Sequence, residues 1–324
     1  MITNFAHEVY VLTQDKIDSG QKSTEVLIWK ALHNTHNVGL FIFFTSLILG
    51  ILALVAYLKY RGTFDKLGTK LDKGSSWAIA LIRVAFGASL IVSSTHNALY
   101  GPELPLNSFA GGGVIRIILF ITGVALVAGV ATRIFAVIAG AIWFYALLLK
   151  GPYIFTYSNY IGEALALILL PLTIYSVDNW LVRTGRIKKQ KFAYAEYSFP
   201  IARILFAFSL LYTALTIKFS HTLLTLDVVN DYHLTRYFPF EPLFIVLGAA
   251  LIEVLVAMAF IAGFLQRFTT VIFLFVMTLS LFFFKESVWP HYLLIALGVG
   301  MFIHKPDKLT LDSRLFVHKK KPRK

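Results

Sequence analysis

Ionisable side chains inside otherwise apolar stretches are the residues of this sequence best suited to chemistry. Glu253 lies within the apolar stretch 251–273, and Arg203 lies about one and a half turns into the stretch 199–220. A charge near the bilayer midplane costs roughly 2.5–3.5 kcal/mol on insertion scales, so each group should be paired or protonated. We predict an Arg203–Glu253 pair, either purely structural or part of a proton or quinone site. Lys218, near the end of the second stretch, is expected to reach the headgroups instead.

Three further charged residues lie within apolar stretches. Arg83 lies in the stretch 81–94 at the position that matches Arg203, and Leu119, in the stretch 117–139, stands where the later copy has Glu253. We expect Arg83 either to reach the cytoplasmic headgroups or to join the Glu253 site. Arg116 and Glu163 each lie about one turn inside the end of an apolar stretch, and we predict a structural ion pair between them.

Histidines cluster on one predicted side of the membrane: His33, His36, His96, His221 and His291. Imidazoles there could hydrogen-bond a quinone carbonyl or another small molecule, or bind a metal or haem. Their spacing matches no ligand motif, so no metal site is predicted. Ordinary interfacial histidines are the favoured interpretation, and a quinone or other small ligand remains the alternative.

Several classes of chemistry are excluded by composition and motifs. The chain has no cysteine, which excludes disulfides, thiolate nucleophiles and cysteine-ligated metals. It also has no GxSxG, P-loop or HExxH motif, and no GxGxxG in a dinucleotide-binding context. Its first residues do not have the pattern of a cleavable signal peptide.

The elements that position these residues are predicted to be membrane-spanning helices. The chain of 324 residues is 57% hydrophobic and 15% charged, which is too apolar for a typical soluble domain. Stretches of about 16–22 residues with few charges can cross the ~30 Å hydrocarbon core. We predict an all-α polytopic membrane protein with about nine transmembrane helices, at 38–58, 77–99, 113–130, 134–150, 160–177, 199–220, 241–262, 268–285 and 289–304.

The distribution of basic residues predicts the orientation of these helices. The net charge is +13, and most lysines and arginines lie between spans 1 and 2, between spans 5 and 6, and in the tail. The positive-inside rule then places the N-terminus outside and the tail in the cytoplasm. We expect the plasma membrane of a prokaryotic cell and no nucleic-acid partner. The basic tail, 316–324, can bind anionic lipid headgroups, although a topology anchor is the favoured interpretation.

The second half of the chain repeats features of the first. The stretch 117–139 is similar to 251–273, and 81–94 is similar to 201–214. The alignment matches Arg83 with Arg203, Gly129 with Gly263, Arg133 with Arg267, and Asp178 with Asp307. Both copies would start on the same side of the membrane, so we predict two like-oriented four-helix units. The predicted segments are 1–36 outside, 37–76 with the first helix and a cytoplasmic loop, repeats 77–192 and 193–315, and the tail 316–324.

These motifs resemble the DoxX/DoxD family of membrane proteins. The resemblance rests on "IRVAFG" and "ARILFA" at helix starts, on the G-x-x-x-R hairpins, and on the closing "KPDKLTLDSRL". It implies a tandem duplication of the family's four-helix unit with one added helix.

The resemblance also implies a function. We expect a non-catalytic subunit or scaffold of a quinone-proximal redox complex, with quinone as a possible cofactor and redox subunits as possible partners. The prediction leans away from an enzyme; within an enzyme, this chain would be the membrane subunit of a quinone-linked oxidoreductase. The alternative is a pathway or binding protein for a small molecule or a proton at the interface of the two bundles.

Overall fold

A computed structural model of the protein describes residues 27–170, 173–188, 194–284 and 289–316, and these ranges are helical, without a β-strand. The predicted N-terminal segment and the basic tail lie largely outside these ranges. The α-helices within them are α1 Thr35–Tyr60, α2 Asp65–Asp72, α3 Ser75–Thr95, α4 Gly112–Ala128, α5 Thr132–Lys150, α6 Ser158–Leu169, α7 Val177–Arg183, α8 Ser198–Thr213, α9 Thr222–Asp231, α10 Pro242–Ala262, α11 Gln266–Phe284, α12 Trp289–Ile303 and α13 Leu311–Leu315.

The lengths and apolar composition of these helices fit a multi-pass membrane protein. Six helical stretches in the described chain are long and apolar enough to cross a membrane, and one of them runs through α5 and α6 together. The helices α4 and α12 are apolar but shorter. Each of the predicted spans contains a helix, while the number of crossings stays a prediction. The central stretch of α1 buries none of its residues, so its apolar side chains are available for contact with lipid.

The helix α6 is shorter than predicted, because it ends at Leu169 rather than near residue 177. Leu170 has an extended backbone, with ψ at 137°. It precedes Pro171 in the sequence, and a proline disfavours the helical conformation of the residue before it. The proline therefore accounts for the early end of α6.

Two tight helical hairpins turn at glycine, as predicted. Gly129 ends α4 with φ at 69°, and Gly263 ends α10 with φ at 61°. Both angles lie in the left-handed region, which glycine adopts without the steric cost of a Cβ. A Cβ on Gly129 would also lie 2.3 Å from the Cβ of Ser176, and one on Gly263 would lie 2.5 Å from Thr310. The segment after α6 therefore packs directly against the first turn, and the segment after α12 packs against the second.

A carboxylate caps the second helix of each hairpin. Asp178 accepts hydrogen bonds from two backbone N–H groups at the start of α5, at 2.8 and 2.9 Å. Asp312 does the same at the start of α11, at 2.7 and 2.9 Å. The sequence alignment that paired Asp178 with Asp307 is therefore wrong. The chain separation between Asp178 and Asp312 equals that between Gly129 and Gly263, which is the register that the capping contacts require.

The long helices form two groups of four, and the two groups pack against each other through their first and last helices. Within group A (α3, α4, α5 and α6), and within group B (α8, α10, α11 and α12), each helix packs on the next. Between the groups, α6 packs on α8, and α12 packs on α3. The last helix of each group thus covers the first helix of the other, and α3, α6, α8 and α12 lie at the interface.

The two ends of the bundle differ in their connections. We call the end with the turns 129–133 and 263–267 the hairpin face. The opposite end, with residues 96–111, 151–157 and 220–241, is the loop face. These names describe the molecule independently of its orientation in a membrane.

Candidate functional site

Glu253 pairs with Lys218, so the predicted pair with Arg203 is wrong. The Lys218 ammonium donates to both carboxylate oxygens at 2.6 Å. Lys218 lies in the π-helical segment Ala214–Phe219 that continues α8, and its side chain reaches α10 rather than the headgroups. The side chains of Lys218 and Glu253 are 14% and 32% exposed, so the pair lies on the flank of group B and not in its core.

Arg203 is completely buried near the hairpin face. Its guanidinium donates to the carbonyls of Phe260 and Ile261, and to the Asp307 carboxylate at 3.1 Å. The last carbonyls of a helix have no partner within the helix, and a cation there also interacts favourably with the helix dipole. Arg203 therefore fastens the C-terminal end of α10 to α8.

Arg83 does the same in group A. It is also fully buried, and its guanidinium donates to the carbonyls of Leu126, Val127 and Tyr175, the last two at 2.8 Å. It neither reaches the headgroups nor joins Glu253, so both expectations for it are wrong. The three residues predicted as one intramembrane site thus lie in three places, and the two arginines have structural partners.

Arg116 and Glu163 do not pair either. Arg116 donates to the backbone carbonyl of Ser94 at 3.0 Å. The reason lies in the packing, because α4 packs between α3 and α5, whereas α6 packs between α5 and α8. The predicted ion pair is therefore wrong, and Glu163 is in a different environment.

Glu163 is the most unusual ionisable group of the described chain. Its side chain is 0% exposed, and neither carboxyl oxygen has a hydrogen-bond partner among the described residues. Asn159, one turn earlier on α6, is close enough for its side-chain amide to act as a donor to this carboxyl, although the geometry is not that of a formed hydrogen bond. The residue that precedes Glu163 on α6, Gly162, lies so close to α8 that a Cβ there would be 2.8 Å from Leu205. The carboxyl is thus fully buried on a helix that packs tightly against α8 of the other group.

A small cavity lies one turn from Glu163 towards the loop face. It has a volume of about 30 Å³, which is room for one or two water molecules. Polar side chains from α6, α8 and α12 line it: Asn159, Tyr160, Ser209, Thr213 and His291. The cavity therefore offers hydrogen-bonding groups at the point where the two groups of helices meet.

This arrangement suits the binding and release of a proton. A carboxylate without a partner in an apolar interior is strongly disfavoured, so the neutral carboxyl is the expected form. A neutral carboxyl is both a donor and an acceptor. Glu163 does not itself line the cavity, but Asn159 does, and Asn159 connects the carboxyl to the water that the cavity can hold.

Four of the predicted histidines lie outside this site. His33 and His36 are exposed on the segment before α1 and on its first turn. His96 packs its ring against Trp289 at 4.9 Å, and the Nδ1 atom of His221 lies 2.8 Å from the carbonyl of Thr216. The predicted ring of ligands is therefore not assembled.

His291 is the one predicted histidine that lines the cavity, and it is 2% exposed. Within the described residues, no group of three or more histidine, aspartate or glutamate side chains is placed to hold a metal ion. Pockets for drug-sized ligands have volumes of about 300–1,000 Å³. The cavity is far smaller, so a quinone ring does not fit in it.

Comparison with known proteins gives no relative. No model of a known protein family matches the chain, and neither the curated proteins nor the solved structures include a significant match.

The sequence interpretation included Glu163 and His291 but gave them other roles, and it missed the rest of the cavity. Asn159 and Glu163 are four residues apart, which places them on one face of a helix. Two polar residues at this spacing in an apolar helix are a signal that could have been used. Ser209 and Thr213 have the same spacing on α8.

Proposed function

We propose that the protein is a membrane protein that binds a small hydrogen-bonding species, a proton or a polar molecule, at the interface of two four-helix units. The observation that supports this is Glu163, a fully buried carboxyl whose oxygens have no hydrogen-bond partner in the described chain. An unpaired buried polar group costs about 1–3 kcal/mol, and a charge costs more. Ionisable residues retained inside a membrane at this cost are by default functional.

The arrangement of the helices supports the two-unit interpretation. Groups A and B match the proposed repeats 77–192 and 193–315, except that α3 begins two residues earlier, at Ser75. Each group has a buried arginine, a glycine turn and a capping aspartate in corresponding contacts. The reciprocal packing of α6 on α8 and of α12 on α3 fits two like-oriented units around an axis along the membrane normal. Binding sites of repeat-built membrane proteins commonly lie at such interfaces.

Membership of the DoxX/DoxD family and the role of a redox-complex scaffold stay proposals of the sequence. The small volume of the cavity favours the binding of a proton or a water-sized molecule over that of a quinone. Co-purification from native membranes, with absorption spectra and lipid extraction, tests the scaffold proposal separately.

Infrared spectroscopy of the protein in lipid nanodiscs tests the binding proposal. We expect a carbonyl stretching band of a protonated carboxyl at neutral pH that disappears in Glu163→Gln. The matched control is Glu253→Gln, which should keep the band, because Glu253 pairs with Lys218. A band that survives Glu163→Gln, or a wild-type protein without the band, would contradict the proposal.

A further inference from the structure

We infer that the species bound at this site is the proton, and that Glu163 exchanges it with the loop face only. This inference rests on the proposed function and adds the identity of the ligand and the side from which it enters. Three features of the interface carry it: the polar cavity, an apolar crevice on the other side of Glu163, and two buried arginines beyond that crevice.

The size and lining of the cavity select the proton. A volume of about 30 Å³ admits one or two waters and no larger solute. Hard metal cations such as Ca²⁺ and Mg²⁺ require about six or more oxygen ligands. The polar side chains that face the cavity are one amide, hydroxyl groups and an imidazole, without a carboxylate among them, and Leu210, Pro290 and Leu294 complete the lining. These groups can pass a proton between waters but offer no charged cage for a metal ion.

The cavity lies between Glu163 and the loop face. Its lining includes Asn159 and Tyr160 in the first turn of α6 and His291 in the first turn of α12, and both turns begin at the loop face. From Asn159 to Glu163 the helix rises about 6 Å, which two hydrogen bonds through one water can span. A water in the cavity is therefore the expected link between bulk water and the carboxyl.

On the other side of Glu163 the interface is more apolar and leaves less space. A crevice between α3, α6 and α8 begins one turn deeper and is lined mostly by apolar side chains, among them Ile82, Leu167 and Phe199. Its volume of about 10 Å³ is at the lower limit for a single water. A continuous chain of waters from the hairpin face to Glu163 cannot form there without a change in packing.

Two buried arginines lie next to the crevice. Arg83 directly follows Ile82, and Arg203 directly follows Ala202, and both Ile82 and Ala202 line the crevice. Both side chains are 0% exposed, and Arg203 is neutralised by its ion pair with Asp307, whereas the Arg83 guanidinium donates to backbone carbonyls. A fixed positive charge in a narrow passage repels protons, as in other membrane pores that exclude them. A proton approaching from the hairpin face therefore meets the apolar crevice and the charge of Arg83.

The side of access is measured in vesicles that contain the protein in both orientations. The chain has no cysteine, so labelling of a single Asn230→Cys variant with an impermeant thiol reagent gives the fraction of molecules with the loop face outward. An alkaline step in external pH, with the internal pH buffered, should abolish the Glu163 carboxyl band in that same fraction. A response of the complementary fraction, of all molecules or of none would overturn the inference. Absence of the band before the step would instead be a failure of the proposed function.

Discussion

Several charged side chains of this protein pair with partners that their positions in the sequence do not identify. Glu253 and Lys218 form a salt bridge on the flank of group B, while Arg203 makes contacts only with groups near the hairpin face. The Lys218–Glu253 pair is partly exposed, and within the described chain no hydrogen bond joins it to the buried contacts of Arg203 with Asp307 and the end of α10. Substitutions at Arg203 and in the Lys218–Glu253 pair should therefore change the free energy of unfolding independently.

A pair of double-mutant cycles tests this at the residue scale. Glu253→Gln and Lys218→Met should couple by about 0.5–3 kcal/mol, because each removes the same salt bridge. Glu253→Gln and Arg203→Leu should be additive, with Arg203→Leu the more destabilising, since it strands Asp307 and two helix carbonyls. The measurement is the free energy of unfolding in mixed micelles. Coupling between Glu253 and Arg203 would show that the two side chains interact, as the sequence analysis expects.

The pH dependence of stability should contain a contribution from His304, which follows the last residue of α12. Burial lowers the pKa of His304 from 6.5 to about 4, and its ring stacks on Phe199 at 3.6 Å. Below pH 6.5 the unfolded chain binds a proton that the folded protein excludes. Stability should therefore fall between pH 6.5 and about 4, by about 3 kcal/mol for this group.

The comparison of wild type with His304→Gln isolates this contribution. The variant should lose less stability over the same pH range, whereas His33→Gln, at an exposed position, should follow the wild type. Parallel curves for wild type and His304→Gln would show that His304 does not contribute.

At the scale of elements, the glycine hairpins hold each group of helices together. Each combines a left-handed glycine with a serine or threonine pressed against it and an aspartate that caps the next helix. The turn is therefore constrained twice, by its backbone conformation and by the space that a Cβ would need.

Alanine substitutions separate these two constraints. Gly111→Ala introduces only the strain of a left-handed backbone, because Gly111 has φ at 68° and no atom lies within 4 Å of its Cβ position. This substitution should reduce stability by about 1 kcal/mol. Gly129→Ala adds a Cβ that would lie 2.3 Å from Ser176, so it should cost clearly more. The measurement is the thermal midpoint in detergent. Equal losses at Gly111 and Gly129 would mean that Ser176 moves away without cost.

At the scale of the whole molecule, the orientation in the membrane stays a prediction from the basic residues. Ser76→Cys at the hairpin face and Asn230→Cys at the loop face are exposed positions in a protein without native cysteine. In intact cells, an impermeant thiol reagent should label Asn230→Cys and leave Ser76→Cys unlabelled. The reverse pattern would invert the topology, and labelling of both would contradict the placement of the two faces on opposite sides.

The amino-acid sequence by itself determined the class of the protein and its local turns. A chain that is 57% hydrophobic with long apolar stretches must satisfy its backbone hydrogen bonds within helices when it enters a bilayer. The hairpins at Gly129 and Gly263 were equally predictable, because a glycine at a helix end has a local conformational preference. The position of Glu163 within an apolar helix was also evident, although its environment was not.

Only the tertiary structure decided which side chains meet. The sequence placed Glu163 in the same unit as Arg116, but α6 faces α8 of the other group, and the carboxyl is left beside a cavity that three helices line. It likewise assigned Glu253 to Arg203, while a π-helical segment brings Lys218 to it. Long side chains can reach several partners, and helix neighbours are set by packing across the whole bundle. Such contacts have no local signature in the chain, because the energies that select them arise only when distant helices close on one another.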